Sequence, residues 1–265
     1  MKKNSTMNRV NLYLFFVLMI SATTLQAQFG VKVGGNLSNS QSYGNSEDGE
    51  SAGFKPGFQG GMFYKAGISE MLSVVVELNY ETRGGISKKE YDFELPIGDP
   101  VSGTGLYQIQ EESDFTQTYI NLPILALIGN GQLKGYVGAN IGYLISAEGD
   151  FKKTVETSVA GSPLGSEETN LEIDWQNYNS FNNVFAPTPS DDGNFFNSLD
   201  FGLNLGAMYY VGAGFLVDFR VIQGFADTTN NHYDNSIYPS ENATFESRED
   251  SDRNFSVQFG VAYFF

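Results

Sequence analysis

The sequence predicts an all-β fold: an eight-stranded antiparallel up-and-down transmembrane β-barrel with four long extracellular loops and short periplasmic turns. Three observations carry this. The last eleven residues alternate, with Phe255, Val257, Phe259, Val261, Tyr263 and Phe265 on one face and Ser256, Gln258, Gly260 and Ala262 on the other. Connections between such segments alternate between tight glycine turns and long polar stretches. The N-terminus has the three-part layout of a secretory signal peptide.

That N-terminus is basic at Lys2, Lys3 and Arg9, apolar from Val10 to Ile20 except at Asn11, then small and polar to Ala27. The apolar run is shorter than the ~20 residues a spanning helix needs. Residues 1–27 are therefore read as a signal peptide, cleaved near Ala27, and residues 28–265 as the outer-membrane barrel domain. With no cysteine, lipoprotein anchoring and a disulfide framework are excluded.

Eight strands follow in order: Phe29–Ser38, Phe54–Ala66, Met71–Thr82, Thr116–Ile128, Leu133–Glu148, Leu199–Val211, Phe215–Asp227 and Arg253–Phe265. Each alternates. In the third, Leu72, Val74, Val76, Leu78 and Tyr80 oppose Ser73, Glu77, Asn79 and Glu81. In the sixth, Leu199 through Val211 on odd numbers oppose Asp200, Gly202, Asn204 and Gly206. In the seventh, Phe215, Val217, Phe219 and Val221 oppose Asp218 and Arg220. Most reach the ~9–11 residues of a tilted membrane strand. Pro56 falls near a strand end, and Pro123 in mid-strand calls for a bulge.

Gly67-Ile-Ser-Glu70, Gly129-Asn-Gly131 and Gly212-Ala-Gly214 make the short turns. The long connections are 39–53, 83–115, 149–198 and 228–252. They hold 24 of the 31 acidic residues of a chain whose net charge is −16. Removing the three signal-peptide cations takes the charge to −19. Such acidity argues against nucleic acid as a partner.

Charges on the minority face read as lumen residues: Lys32, Lys55, Lys65, Lys134 and Arg220 are expected to meet Glu77, Glu81, Glu148, Asp200 and Asp218. Eight strands leave an interior just wide enough for side chains. A plugged, salt-bridged interior with no wide pore is therefore expected, since isolated buried charge is costly. A soluble lipocalin-like barrel or β-sandwich would place the apolar face inward. Charges of both signs on the minority face, and Tyr64, Tyr80, Tyr143, Tyr209 and Tyr263 near strand ends, favour the membrane arrangement.

Several stretches resemble the PorT-like outer-membrane β-barrel family of Bacteroidota. These are Phe29-Gly-Val-Lys-Val-Gly-Gly-Asn-Leu-Ser38, Val76-Glu-Leu-Asn-Tyr-Glu-Thr-Arg-Gly-Gly85, Tyr119-Ile-Asn-Leu-Pro-Ile-Leu125, Asp200-Phe-Gly-Leu-Asn-Leu-Gly206 and Phe219-Arg-Val-Ile-Gln-Gly-Phe225. The resemblance spans the mature chain and implies an eight-stranded outer-membrane barrel in which Pro123 is ordinary. It supplies no functional residues.

Chemistry-bearing motifs are sparse. His232, the single histidine, lies near Asp234 and Ser236, but no orienting geometry supports a triad. The acidic clusters at 47–50, 167–168, 191–192 and 249–252 match no calcium loop. One histidine and no cysteine leave no zinc site of that kind. No catalytic, cofactor-binding or metal residue is assigned, and no cofactor is expected. Trp175, Tyr178, Phe181, Phe185, Phe195 and Phe196 in the longest connection are read as loop packing, with strand extensions at Thr154–Val159 and Thr169–Trp175.

The functional expectation is a non-enzymatic integral outer-membrane protein serving envelope assembly, secretion or surface interaction. Its expected partners are outer-membrane lipid, the barrel-assembly machinery and a protein met through loops 149–198 and 228–252. The alternatives are a narrow small-solute channel and an outer-membrane hydrolase or acyltransferase.

Overall fold

The computed structural model describes residues 28–43, 50–97, 103–173, 196–230 and 251–265. The signal segment 1–27, Trp175, Tyr178, Phe181, Phe185, Phe195, His232, Asp234, Ser236 and most of the acidic clusters lie outside these residues.

Nine strands are described: β1 Gln28–Tyr43, β2 Glu50–Gly67, β3 Leu72–Ile97, β4 Gly103–Ile128, β5 Leu133–Val159, β6 Ser162–Ile173, β7 Leu199–Gly212, β8 Phe215–Gly224 and β9 Ser251–Phe264. All pairings are antiparallel, and β1, β2, β3, β4, β5, β7, β8 and β9 close a ring of eight. The ninth, β6, pairs with the far end of β5, above the level where β5 pairs with β7.

The ring closes where β9 meets β1, with Val33 opposite Val261 and Gly34 opposite Gly260. The alternation of the last strand settles its faces. Phe259, Val261, Tyr263 and Phe265 are exposed, whereas Asn254, Ser256, Gln258, Ala262 and Phe264 are buried. β7 and β8 follow the same rule, with Asp200, Asn204, Asp218 and Arg220 inside and Phe201, Leu203, Leu205 and Phe219 outside. Apolar outward and polar inward is the order of a membrane barrel. Tyr80 and Tyr143 are exposed toward one rim, and Tyr209 and Tyr263 toward the turn side, as two interfacial girdles require.

The turns use glycine where the backbone needs positive φ: Gly129 and Gly131 in one, Gly212 and Gly214 in another. Inside the wall, glycine serves close approach. A Cβ at Gly34 would lie 2.2 Å from the Phe259 carbonyl oxygen, and one at Gly138 would lie 2.1 Å from that of Ile124.

The two prolines are handled differently. Pro56 sits inside a register shift between Phe54 and Gln59 on the β3 side, while its pairing with Leu37 of β1 is kept. Thr82 fills the lapse: its hydroxyl accepts from the Phe58 amide at 2.9 Å. At Pro123 the expected bulge is not found. The β3–β4 register is the same on both sides, and the ladder skips Glu77 and Leu78 opposite Leu122 and Pro123. Pro123 keeps its pairing with Asn140 of β5. A missing donor is thus absorbed by a gap rather than an inserted residue. The β4–β5 shift lies instead between Thr118 and Tyr119, opposite Leu144 to Ser146.

The largest departure concerns the long connections. Positions 83–97 and 103–115 continue β3 and β4, and 149–159 continues β5, with β6 beside it. The extension expected at Thr154–Val159 is present; the returning strand begins earlier than Thr169, at Ser162. Ala160 and Gly161, both at positive φ, turn that hairpin.

Candidate functional site

Three layers of side chains occupy the lumen. At the turn side, alternation gives way to consecutive apolar residues, and Phe63, Val75, Leu125, Leu127, Met208, Leu216, Ala262 and Phe264 pack into one cluster. Phe264, which interrupts the pattern of the last strand, points inward here. Its ring meets Phe63 edge-on at 5.0 Å and stacks on Tyr210 at 5.8 Å. This layer closes the periplasmic end.

Above it lies a neutral charge cluster. Lys32 Nζ is 3.1 Å from both Glu77 and Asp218. Arg220 donates to both Glu77 oxygens, at 2.9 and 2.7 Å, and to Asp218 at 3.1 Å. Tyr136 donates to Asp218 at 2.6 Å and accepts from Arg220 Nε at 2.9 Å. A cavity of about 10 Å³ between this layer and the apolar one is at the lower limit for a single water.

The third layer centres on Arg83, which donates to Glu81 at 2.7 Å and to Asp200 at 2.8 Å. Glu81 also accepts from Asn121 at 2.7 Å and Gln258 at 2.5 Å. Asn254 reaches Tyr119 and Asp200, both at 3.3 Å. All seven ionised groups of these two layers are buried. Buried charge is tolerated only when paired and further hydrogen-bonded, and both conditions are met here.

The expected pairing is therefore right for Lys32 and Arg220 and wrong elsewhere. Glu81 and Asp200 pair with Arg83, which the sequence reading placed in a loop. The signal was present: Tyr80 and Thr82 have outward parity, and Glu81 and Arg83 inward. Lys55 pairs with Asp114, also assigned to a loop. Glu148 is exposed and faces outward after the β4–β5 shift. Among the described residues Lys65 and Lys134 meet no carboxylate; their ammoniums lie 5.2 and 5.5 Å from the Tyr210 ring centroid.

The extracellular rim is laced by backbone. Thr228 donates to the Asp252 carbonyl at 2.7 Å, and the Asn197 side-chain amide donates to the carbonyls of Asp227 and Thr229 at 3.0 and 2.7 Å. Asp227 accepts from the amides of Thr229 and Asp252 at 3.2 and 3.1 Å. Burial nevertheless pushes its carboxyl above the usual range, outweighing these bonds.

Beyond this rim β3, β4, β5 and β6 form a four-stranded sheet. β3 continues fifteen residues past Thr82, about 50 Å along the strand. Hydropathy inverts across the boundary. Below it the outward face is apolar, as at Leu78, Tyr80, Ile120, Leu122 and Ile124. Above it the outward face carries exposed Glu90, Asp92, Glu94, Glu112, Asp150 and Glu156. The inward face of the extension buries Ile109 and Phe115, with Phe196 against Phe115 at 5.5 Å. Lys153 and Glu111 form a buried pair there at 2.8 Å. On the outward face, Lys88–Glu112 at 2.9 Å and Lys152–Glu168 at 3.1 Å offset part of the acidity. Hydrogen bonding from Asn170, then Lys152, holds the Glu168 carboxyl below the usual range.

Residues 21–230 match the family model described as outer membrane protein beta-barrel domain. No curated protein matches the chain. Among solved structures, Neisserial surface protein A is similar at 12% identity and a TM-score of 0.40, covering 90% of this chain and 98% of that one. Ail, the attachment invasion locus protein of Yersinia pestis, is similar at 10% identity and a TM-score of 0.35, covering 91% of this chain and 100% of that one. The translocator domain of the autotransporter NalP from Neisseria meningitidis is similar at 12% identity and a TM-score of 0.25, covering 98% and 97%.

Proposed function

The chain belongs to the outer membrane protein β-barrel domain family, and on that premise we propose that it is a closed outer-membrane barrel that displays an acidic sheet to a basic protein partner outside the cell. The observation that carries this is the continuation of β3 to β6 past the apolar girdle with hydropathy inverted, so that carboxylates face water on a rigid, hydrogen-bonded support. Binding residues held on a scaffold lose less entropy on association than residues on a free loop. Charge of one sign over such a face steers an oppositely charged partner and disfavours anionic ones.

Neither conduction nor catalysis is part of this reading. An apolar layer and two paired charge layers fill the lumen, and its carboxylates are engaged by Lys32, Arg83 and Arg220. Within the family we assign the chain to the PorT-like branch of Bacteroidota, supported by the Tyr119–Leu125 stretch.

A photo-crosslinking residue at Asp92 or Glu94 on intact cells should yield a protein adduct. The combined variant Glu90→Lys, Asp92→Lys, Glu94→Lys should lose it while keeping heat-modifiable gel mobility. A folded wild-type barrel that gives no adduct from either position defeats the interaction. Stepwise conductance in planar bilayers defeats the closed barrel.

A further inference from the structure

We propose that the periplasmic mouth of the barrel is a binding site for an oxyanion, a carboxylate or a phosphate, held by the ammoniums of Lys65 and Lys134. The site lies at the opposite end from the acidic sheet and does not depend on it.

Both lysines have lumen-facing parity and sit beside the short turns, Lys65 two residues before Gly67 and Lys134 in the turn-proximal end of β5. They converge on one ring, that of Tyr210. In a chain with 31 acidic and 15 basic residues, carboxylates are abundant, and the cations of the two charge layers, Lys32, Arg83 and Arg220, each hold two. Among the described residues neither Lys65 nor Lys134 holds one. Lys65 donates to the Gln28 side-chain oxygen at 3.3 Å and otherwise faces the Tyr210 and Phe264 rings. Glu70, the acid of the short turns, is exposed.

The apolar layer explains why the pair cannot be neutralised from within. Phe63, Met208, Leu216 and Phe264 stand between these ammoniums and the carboxylates of Glu77 and Asp218. Each ammonium has three donors, and a ring face satisfies charge but accepts no directed hydrogen bond from all of them. Tyr210 adds a third group, since its hydroxyl is buried and has no hydrogen-bond partner among the described residues. Two ammoniums and a phenol at one mouth, open toward the periplasm, match an anionic group with several acceptor oxygens.

Two sources carry that oxyanion chemistry: the phosphate of a phospholipid headgroup, and a small soluble oxyanion free in the periplasm. Calorimetry on the refolded full barrel domain in zwitterionic detergent at low ionic strength separates them. Inorganic phosphate and acetate are titrated alone, and phosphatidylglycerol is added to the micelles in a parallel arm. Saturable binding is expected, weakened on the order of tenfold by Lys65→Met or Lys134→Met. The double variant Lys65→Arg, Lys134→Arg should retain it. Binding by phosphatidylglycerol alone assigns the lipid source, and binding by inorganic phosphate or acetate the soluble one. No saturable heat in any arm overturns the proposal, as does binding that the methionine variants leave unchanged. Heat-modifiable mobility confirms that each variant is folded.

Discussion

Replacing Arg220 with methionine tests whether the lower charge layer holds the barrel together. Arg220 is buried and makes four hydrogen bonds: two to Glu77, one to Asp218 and one to Tyr136. Methionine keeps most of the volume and removes the charge. Glu77 and Asp218 then face Lys32 alone, so one buried carboxylate lacks a counter-charge. Breaking a buried pair in this way costs about 3–5 kcal/mol, because the partner's desolvation is no longer offset. Against a typical domain stability of about 5–15 kcal/mol, that is at least about a fifth of the total. A second substitution supplies the control. Glu77→Gln with Arg220→Met leaves Lys32 and Asp218 as a neutral pair, so the double variant should be more stable than Arg220→Met alone. The assay is urea unfolding of the refolded barrel, followed by far-ultraviolet circular dichroism and heat-modifiable mobility. A loss below about 1 kcal/mol for Arg220→Met would refute the reasoning, since that is the scale of a solvated surface pair. So would a double variant no more stable than the single one.

Gly34→Ala or Gly138→Ala should impair folding, since the added methyl meets a carbonyl oxygen at 2.2 or 2.1 Å. Overpacking of this kind costs about 1–3 kcal/mol or more, read as a lower yield of heat-modifiable barrel. Ala160→Asn should tighten the β5–β6 hairpin by up to about 1 kcal/mol, because asparagine tolerates the positive φ that alanine resists. Slower hydrogen exchange confined to residues 155–166 is the expected result. At the rim, the Asp227 carboxyl is raised by burial, so its ionisation opposes the folded rim. The stabilisation is complete below the ordinary aspartate value and is lost as pH rises through the raised one. Exchange at the Thr229 and Asp252 amides, corrected for intrinsic rates, should therefore slow on acidification, and Asp227→Asn should abolish that dependence.

The membrane part of the fold was legible because period two reports two unlike faces, and charges of both signs on one face identify the lumen. Gln258, Asp218 and Asp200 could be placed inside on that ground alone. The apolar floor was written in the same strands as a failure of alternation: Leu125, Leu127 and Leu216 have inward parity yet are apolar, as Phe264 is. The extracellular sheet was not legible as sheet. Past Thr82 the outward positions turn acidic, which reads as loop when strands are sought by their apolar face. The β4–β5 shift compounds this, since even-numbered β5 residues face inward up to Leu144 and odd-numbered ones from Ala147. Arg83 fell on the wrong side of that boundary and took the upper charge layer with it.

The height at which hydropathy inverts is also the height at which pairing changes. The register shift of β2 against β3 lies between Phe54 and Gln59, and that of β4 against β5 beside Thr118. Just above the second, β5 leaves β7 and takes up β6. Shifts of this kind bend strands and increase local twist, which lets a closed ring open into a sheet without breaking β3, β4 or β5. The same strands therefore serve two regimes. Within the ring, outward residues are solvated by lipid and inward residues by one another, so substitutions there act on stability. In the extension, outward residues are solvated by water and carry no packing, so substitutions there should leave stability within about 0.5 kcal/mol while altering association. Glu94→Lys and Arg220→Met are thus opposite probes. The first should change binding in a barrel of unchanged urea midpoint, and the second should lower the midpoint without changing what the surviving folded barrels bind.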